Sequence, residues 1–200
     1  MTPDDLERIA ADLRRIARKA EDEIVSAKAM AKAITGHAVE FVPRYPATSA
    51  LATVYGQRRV FARVGAKDEN FNIAHELGHY GLEQLGYEGP DEEAYASYIG
   101  AALIAPPKAV TAAYAHHGEK LRPLARLFTL TESSVWLRLA EVRRDDRVLI
   151  APGSTELVRV RGLAWPETPV ILRWYDGRPP TGHAKKRLAD DPKRVGIRRK

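Results

Sequence analysis

Two hundred residues, 44% hydrophobic and 29% charged, suffice for one globular domain with a real core, or for one domain and a small extension. There is no cysteine, so disulfides and thiolate metal sites are excluded, and any metal must be held by histidine and carboxylates. The formal net charge of +6 is uneven: ten basic residues between Arg173 and Lys200 face only Asp176, Asp190 and Asp191, and the remainder is close to balanced.

The chain opens on Met1-Thr2-Pro3-Asp4-Asp5, with no basic segment leading into an apolar run, so no signal peptide is expected. No apolar stretch approaches the length of a membrane span, and the expected location is the cytoplasm, away from any membrane. Residues 4 to about 34 carry Leu6, Ile9, Ala10, Leu13, Ile16, Ala17, Ala20, Ile24 and Ala27 at intervals of three and four, with charges between them. That spacing predicts helix. One straight helix of that length would run about 45 Å at 1.5 Å per residue, longer than a small domain, so a bend or two helices are expected. No glycine or proline marks where.

Gly36 ends this segment. Val39–Val42 reads as a short extended run stopped by Pro43 and Pro46, and Leu51–Tyr55 and Arg59–Val64 as strands of a hairpin around Gly56-Gln57.

The run Phe71-Asn72-Ile73-Ala74-His75-Glu76-Leu77-Gly78-His79-Tyr80 then concentrates the chemistry. Histidines four apart lie on one face of a helix, a turn from each other, so both imidazoles can reach one ion. Glu76 beside them has a free carboxylate. This is H-E-x-x-H, in which zinc takes two histidines and the glutamate acts as general base toward a water. Asn70 or Asp68 is the expected N-cap. Glycine and histidine three and six residues past the second histidine would mark a metzincin, but Leu82 and Leu85 stand there.

The third ligand must therefore come from elsewhere. Gly81, Gly86, Gly89 and Pro90 mark a turn-rich connection, after which a second helix opens near Asp91 and runs to Pro106-Pro107. Glu93 is the best candidate, because Ala96, Ser97 and Gly100 follow it as a small-residue stripe. With Gly78 between the histidines, that stripe would let the two helices cross closely. Glu92 and Asp91 are its rivals. The bland alternative for Glu93 is a solvated first-turn acid favoured by the helix dipole.

Both segments resemble the ImmA/IrrE family of metallo-endopeptidases. Glu93 to Pro106 is similar to that family's E-x-x-A-N-x-F-A-x-x-L-L-M-P segment, with Glu93 at the ligand glutamate. Leu121 to Val142, centred on Leu124-Ala125-Arg126-Leu127-Phe128-Thr129-Leu130-Thr131, resembles its downstream helix pair. The resemblance covers roughly residues 50–145. It implies an α+β, minimal zincin-like fold of the gluzincin kind, with helices packed on a small sheet. It also implies zinc-dependent, cytoplasmic proteolysis of a regulatory protein, often a helix-turn-helix repressor of the phage or stress-response type. Ser97 departs from the usual Asn or Asp, which weakens orientation of a zinc histidine. Ile99 replaces the common Phe.

Residues 108–117 continue as helix to His116-His117-Gly118, and these histidines read as surface residues at a helix stop, with oxyanion stabilisation the lesser reading. Tyr80 and Tyr95 are other possible donors. Thr131 is the expected N-cap of a helix carrying Val135, Trp136, Leu139 and Val142. Arg122, Arg126, Arg138, Arg143 and Arg144 give the pair a basic surface, but packing on the peptidase domain is the better expectation than DNA contact. Beyond it come β-like runs at 148–150, 157–160 and 170–175. The basic tail reads as a solvated extension, since nothing aromatic is interleaved among residues 181–200.

The expected organisation is a zincin-like peptidase domain over residues 1–118, a helix pair over 119–146, and a β-like extension with basic tail over 147–200. The expected activity is a zinc endopeptidase with His75, His79 and Glu93 as metal ligands and Glu76 as general base. A non-catalytic regulator- or DNA-binding module on the same fold is the alternative. A structural zinc site is weaker, because it would want a fourth protein ligand and none is evident.

Overall fold

The computed structural model describes residues 1–118, 120–143, 146–150 and 157–161. The first helix, α1 (Pro3–Ile16), starts on a capping box: Asp5 N donates to Thr2 Oγ and the Asp5 carboxylate accepts from Thr2 N. The expected long helix is in fact two. Residues 17–26 wrap around Arg14, whose buried guanidinium donates to the carbonyls of Ala20 and Glu23, and to Leu103 O on a later helix. Ser26 then caps α2 (Ala27–Thr35) by accepting from Ala29 N, and Gly36 closes it at φ 80°. A buried cation collecting loop carbonyls breaks the helix here without glycine or proline.

Three strands follow: β1 (Glu40–Val42), β2 (Ser49–Val54) and β3 (Gln57–Arg63), in the order β1-β3-β2. β1 is parallel to β3 and β2 antiparallel to it, which leaves β2 on an edge. The hairpin turns at Tyr55-Gly56, one residue earlier than expected; φ is 50° and 75° there, and Val54 pairs with Gln57. A two-residue turn with both central residues left-handed matches the twist of the strands it joins.

The core is built on α3 (Glu69–Gln84), which lies on β2 and β3 and crosses α4 (Glu92–Ile104). A Cβ at Gly78 would come 2.3 Å from Ala96 O, and one at Gly100 would come 2.8 Å from His75 N. Backbone therefore touches backbone on both sides of the crossing, as the small-residue stripe predicts. Ile73, Ala74 and Leu77 of α3 and Ala96, Ile99 and Leu103 of α4 are fully buried. Asp68 is the N-cap of α3 but makes no capping bond, and Asn70 instead accepts from Ala27 N, tying α2 to α3.

α5 (Pro107–His117), α6 (Leu121–Phe128) and α7 (Glu132–Arg143) complete the helices among the described residues. Thr131 Oγ accepts from Ser134 N, the expected cap of α7. Arg138 of α7 is not a surface charge. It is 1% exposed, donates to both oxygens of Glu7 on α1 at 2.7 and 3.0 Å, and donates to Ala105 O at 2.8 Å. Beyond α7, β4 (Asp146–Ile150) pairs antiparallel with β5 (Leu157–Arg161). The expected strand at 170–175 and the basic tail lie outside the described residues. No helix among the described residues is long and apolar enough to cross a membrane.

Candidate metal centre

α3 carries His75 and His79 on one face, and the tight crossing brings the first turn of α4 over them. The two Nε2 atoms are 3.1 Å apart. Glu93 Oε2 lies 3.3 Å from His75 Nε2, and Glu93 Oε1 lies 3.4 Å from His79 Nε2. Zinc bonds of about 2.0–2.1 Å in a tetrahedron put neighbouring donors roughly 3.3 Å apart. The three donors thus form a triangle of the size such an ion requires. Among the described residues this is the one group with metal-binding geometry. The histidine side chains are 19% and 14% exposed and that of Glu93 is 74% exposed, so the triangle has a buried back and an open front.

The remaining ring nitrogens are engaged from behind. His75 Nδ1 is 3.1 Å from Ser97 Oγ, and His79 Nδ1 is 2.9 Å from Glu92 Oε1. A carboxylate only accepts, so the Nδ1 of neutral His79 carries the proton and its Nε2 keeps a bare lone pair toward the triangle. Burial, and next the neighbouring His79, hold the His75 imidazole below its ordinary pKa, which keeps it neutral and able to bind metal. Glu92, a rival for the third ligand, instead orients His79. Asp91 is the N-cap of α4 and is not part of the group.

Glu76 points off the same helix and is 8% exposed. Its Oε1 accepts a 2.7 Å hydrogen bond from Ser49 Oγ at the start of β2. Ser49 was not legible as a site residue: it stands 27 positions earlier, and only the seating of α3 on the sheet brings it there. The suggested oxyanion donors fare differently. The Tyr95 hydroxyl is buried and accepts from the Met1 ammonium at 2.8 Å, and burial pushes its pKa up to about 12, so it is committed elsewhere. His116 and His117 pack edge-on against each other at the end of α5, and neither joins the donor group. Tyr80 stays half-buried on α3.

Residues 60–140 match the model of the Peptidase M78 family, described as the IrrE N-terminal-like domain. That segment spans the whole of α3 and α4 and therefore both halves of the donor triangle. Over that segment the chain is similar to an IrrE N-terminal-like domain. The α+β architecture, with helices on a three-stranded sheet, is that of a small zincin-like domain. The chain is also similar in fold to a Mycobacterium tuberculosis transcriptional regulator, with a TM-score of 0.60 at 14% identity. The likeness covers 82% of this chain but 57% of the regulator, so the chain spans little more than half of that protein, and the similarity is one of fold. No curated protein sequence matches it.

Proposed function

We propose that the chain is a zinc-dependent endopeptidase that cuts a regulatory protein, with a helix-turn-helix repressor in the cytoplasm as its substrate. The observation that carries this is the pairing of a zinc-sized donor triangle on His75, His79 and Glu93 with a buried carboxylate, Glu76, one residue from the first ligand. A zinc ion held there would supply Lewis acidity and lower the pKa of a water toward neutrality. Glu76 would take the proton of the attacking water and hand it to the leaving amine, with Ser49 fixing the carboxylate between those two tasks. The free edge of β2, whose first residue is Ser49, would hold the substrate extended by strand addition. On this reading residues 1–118 form the catalytic unit, 119–146 the helix pair and 147–200 the extension.

A pure binder has no use for Glu76, and a structural zinc has no use for an open front. Glu76→Gln should keep its zinc, measured by elemental analysis, and lose cleavage of a co-encoded repressor by at least about a hundredfold. An unchanged rate would refute the assignment. Glu93→Ala should lose the metal, and full occupancy would remove Glu93 from the ligand set. The second reading, a regulator- or DNA-binding module, draws on the exposed Arg122 and Arg126 of α6. It predicts a salt-sensitive DNA shift with no cleavage of any regulator.

A further inference from the structure

A groove of about 800 Å³ opens on the side of the molecule formed by α1, the loop after it and the start of α5. None of its walls is a residue of the metal centre. The floor is apolar, made by Ala11, Ala102, Pro106 and Pro107. Around it stand Arg8, Arg14, Arg15, Arg18, Lys19 and Lys108, six cations against the three acids Glu7, Asp12 and Glu21.

Those acids are already engaged. Glu7 is bound by Arg138, Asp12 by Arg15 and Glu21 by Lys108. The pairs of Asp12 and Glu21 are solvent-exposed and worth little, so an incoming anion competes with them at small cost. Arg18 is exposed and has no ionic partner among the described residues. In the wall, Arg14 is 2% exposed, and its Nε–H is buried with no acceptor. Arg8 and Lys19 are paired in turn with Asp5 and Glu23 beside the groove, and the Arg14 guanidinium is spent on backbone carbonyls, which leaves Arg18 as the cation without a counter-charge. The groove thus combines an apolar bed, a rim of exchangeable ion pairs and one unanswered cation, Arg18. Its volume lies within the 300–1,000 Å³ typical of small-ligand sites.

We propose that this groove binds a small amphipathic anion: an apolar body lying on the alanine and proline floor, with a sulfonate, phosphate or carboxylate turned to the arginine rim. A neutral apolar molecule would leave Arg18 unanswered. A compact inorganic anion would leave the floor uncovered, and the basic tail of the chain carries the wrong charge. The inference does not depend on the peptidase reading, since no metal ligand takes part.

The full chain should be titrated with 8-anilinonaphthalene-1-sulfonate, followed by its fluorescence, beside the uncharged N-phenyl-1-naphthylamine. The sulfonate should saturate at one equivalent and bind at least tenfold more tightly than the neutral probe. Arg18→Glu should weaken the sulfonate at least fivefold while Arg18→Lys largely retains it. Ala11→Trp, which fills the floor, should weaken both probes. Near-UV circular dichroism matched to the parent protein qualifies each variant. Equal binding of the two probes, a non-saturating response, or a sulfonate affinity indifferent to both Arg18→Glu and Ala11→Trp would overturn the proposal.

Discussion

Glu92 and Glu93 are neighbours in sequence with opposite duties around one imidazole. Glu93 faces the Nε2 atoms of both histidines, and Glu92 meets the Nδ1 of His79 from behind. Ser97 gives His75 only a hydroxyl on the equivalent nitrogen, so the negative support behind the site comes from Glu92. Glu92→Gln should therefore weaken zinc binding by roughly 10–100-fold in a chelator competition, without abolishing it. An unchanged affinity would show that His79 needs no such partner. Ser49→Ala should retain zinc and lower turnover about tenfold, a fraction of the roughly 10²–10⁴ that a general base supplies. The histidine spacing and Glu76 were legible because four residues of helix set their geometry locally. Ser49 was not, because its contact depends on how a strand seats against that helix.

At the level of elements, the site exists because α3 and α4 can approach to backbone contact. Gly78→Ala places a methyl 2.3 Å from Ala96 O, and a carbonyl on a packed helix cannot move aside like a flexible side chain. We expect a loss of about 3 kcal/mol in urea unfolding, with weaker zinc binding as the Glu93 carboxylate is pushed off the histidines. A variant as stable as the parent would mean that the crossing is looser than its geometry. The stripe of small residues announced this crossing. One other element-level expectation failed for a local reason, the hairpin turn moving to Tyr55-Gly56 because both its residues are left-handed; of the two N-cap candidates for α3, Asp68 takes the position and Asn70 bonds α2 instead.

Across the whole molecule, α1, α4 and α7 are locked by one buried cluster. Arg138 binds Glu7 and Glu141, lies over the Tyr98 ring at 5.4 Å, and Tyr98 donates to Glu7. Arg138→Met would strand two carboxylates and should cost about 3–5 kcal/mol. Burial pushes the Glu141 carboxyl up to about 7 against the pull of Arg138, with Glu7 adding to the rise. The folded chain thus holds a proton there more tightly than the unfolded chain. That contribution is complete below the ordinary carboxylate pKa of 4.5 and is lost as pH rises through about 7. Glu141→Gln should flatten the decline in stability between those limits, measured by thermal melts across pH. An unaltered profile would place the titration elsewhere.

Residues and spacings alone determined the donor types, the helix carrying two of them and the acid beside them, because periodicity and ligand chemistry are local properties of the chain. They also put Glu93 first as the third candidate ligand, on the stripe of small residues that follows it, with Glu92 and Asp91 as rivals. Which of the three acids faces the histidines is visible only in the folded molecule, since neighbouring positions on a helix point about 100° apart and the crossing with α3 turns Glu93 toward both rings and Glu92 toward the back of His79. The support from Ser49, the burial of Arg138 and the cationic groove likewise join positions far apart in the chain, and only packing brings such positions together.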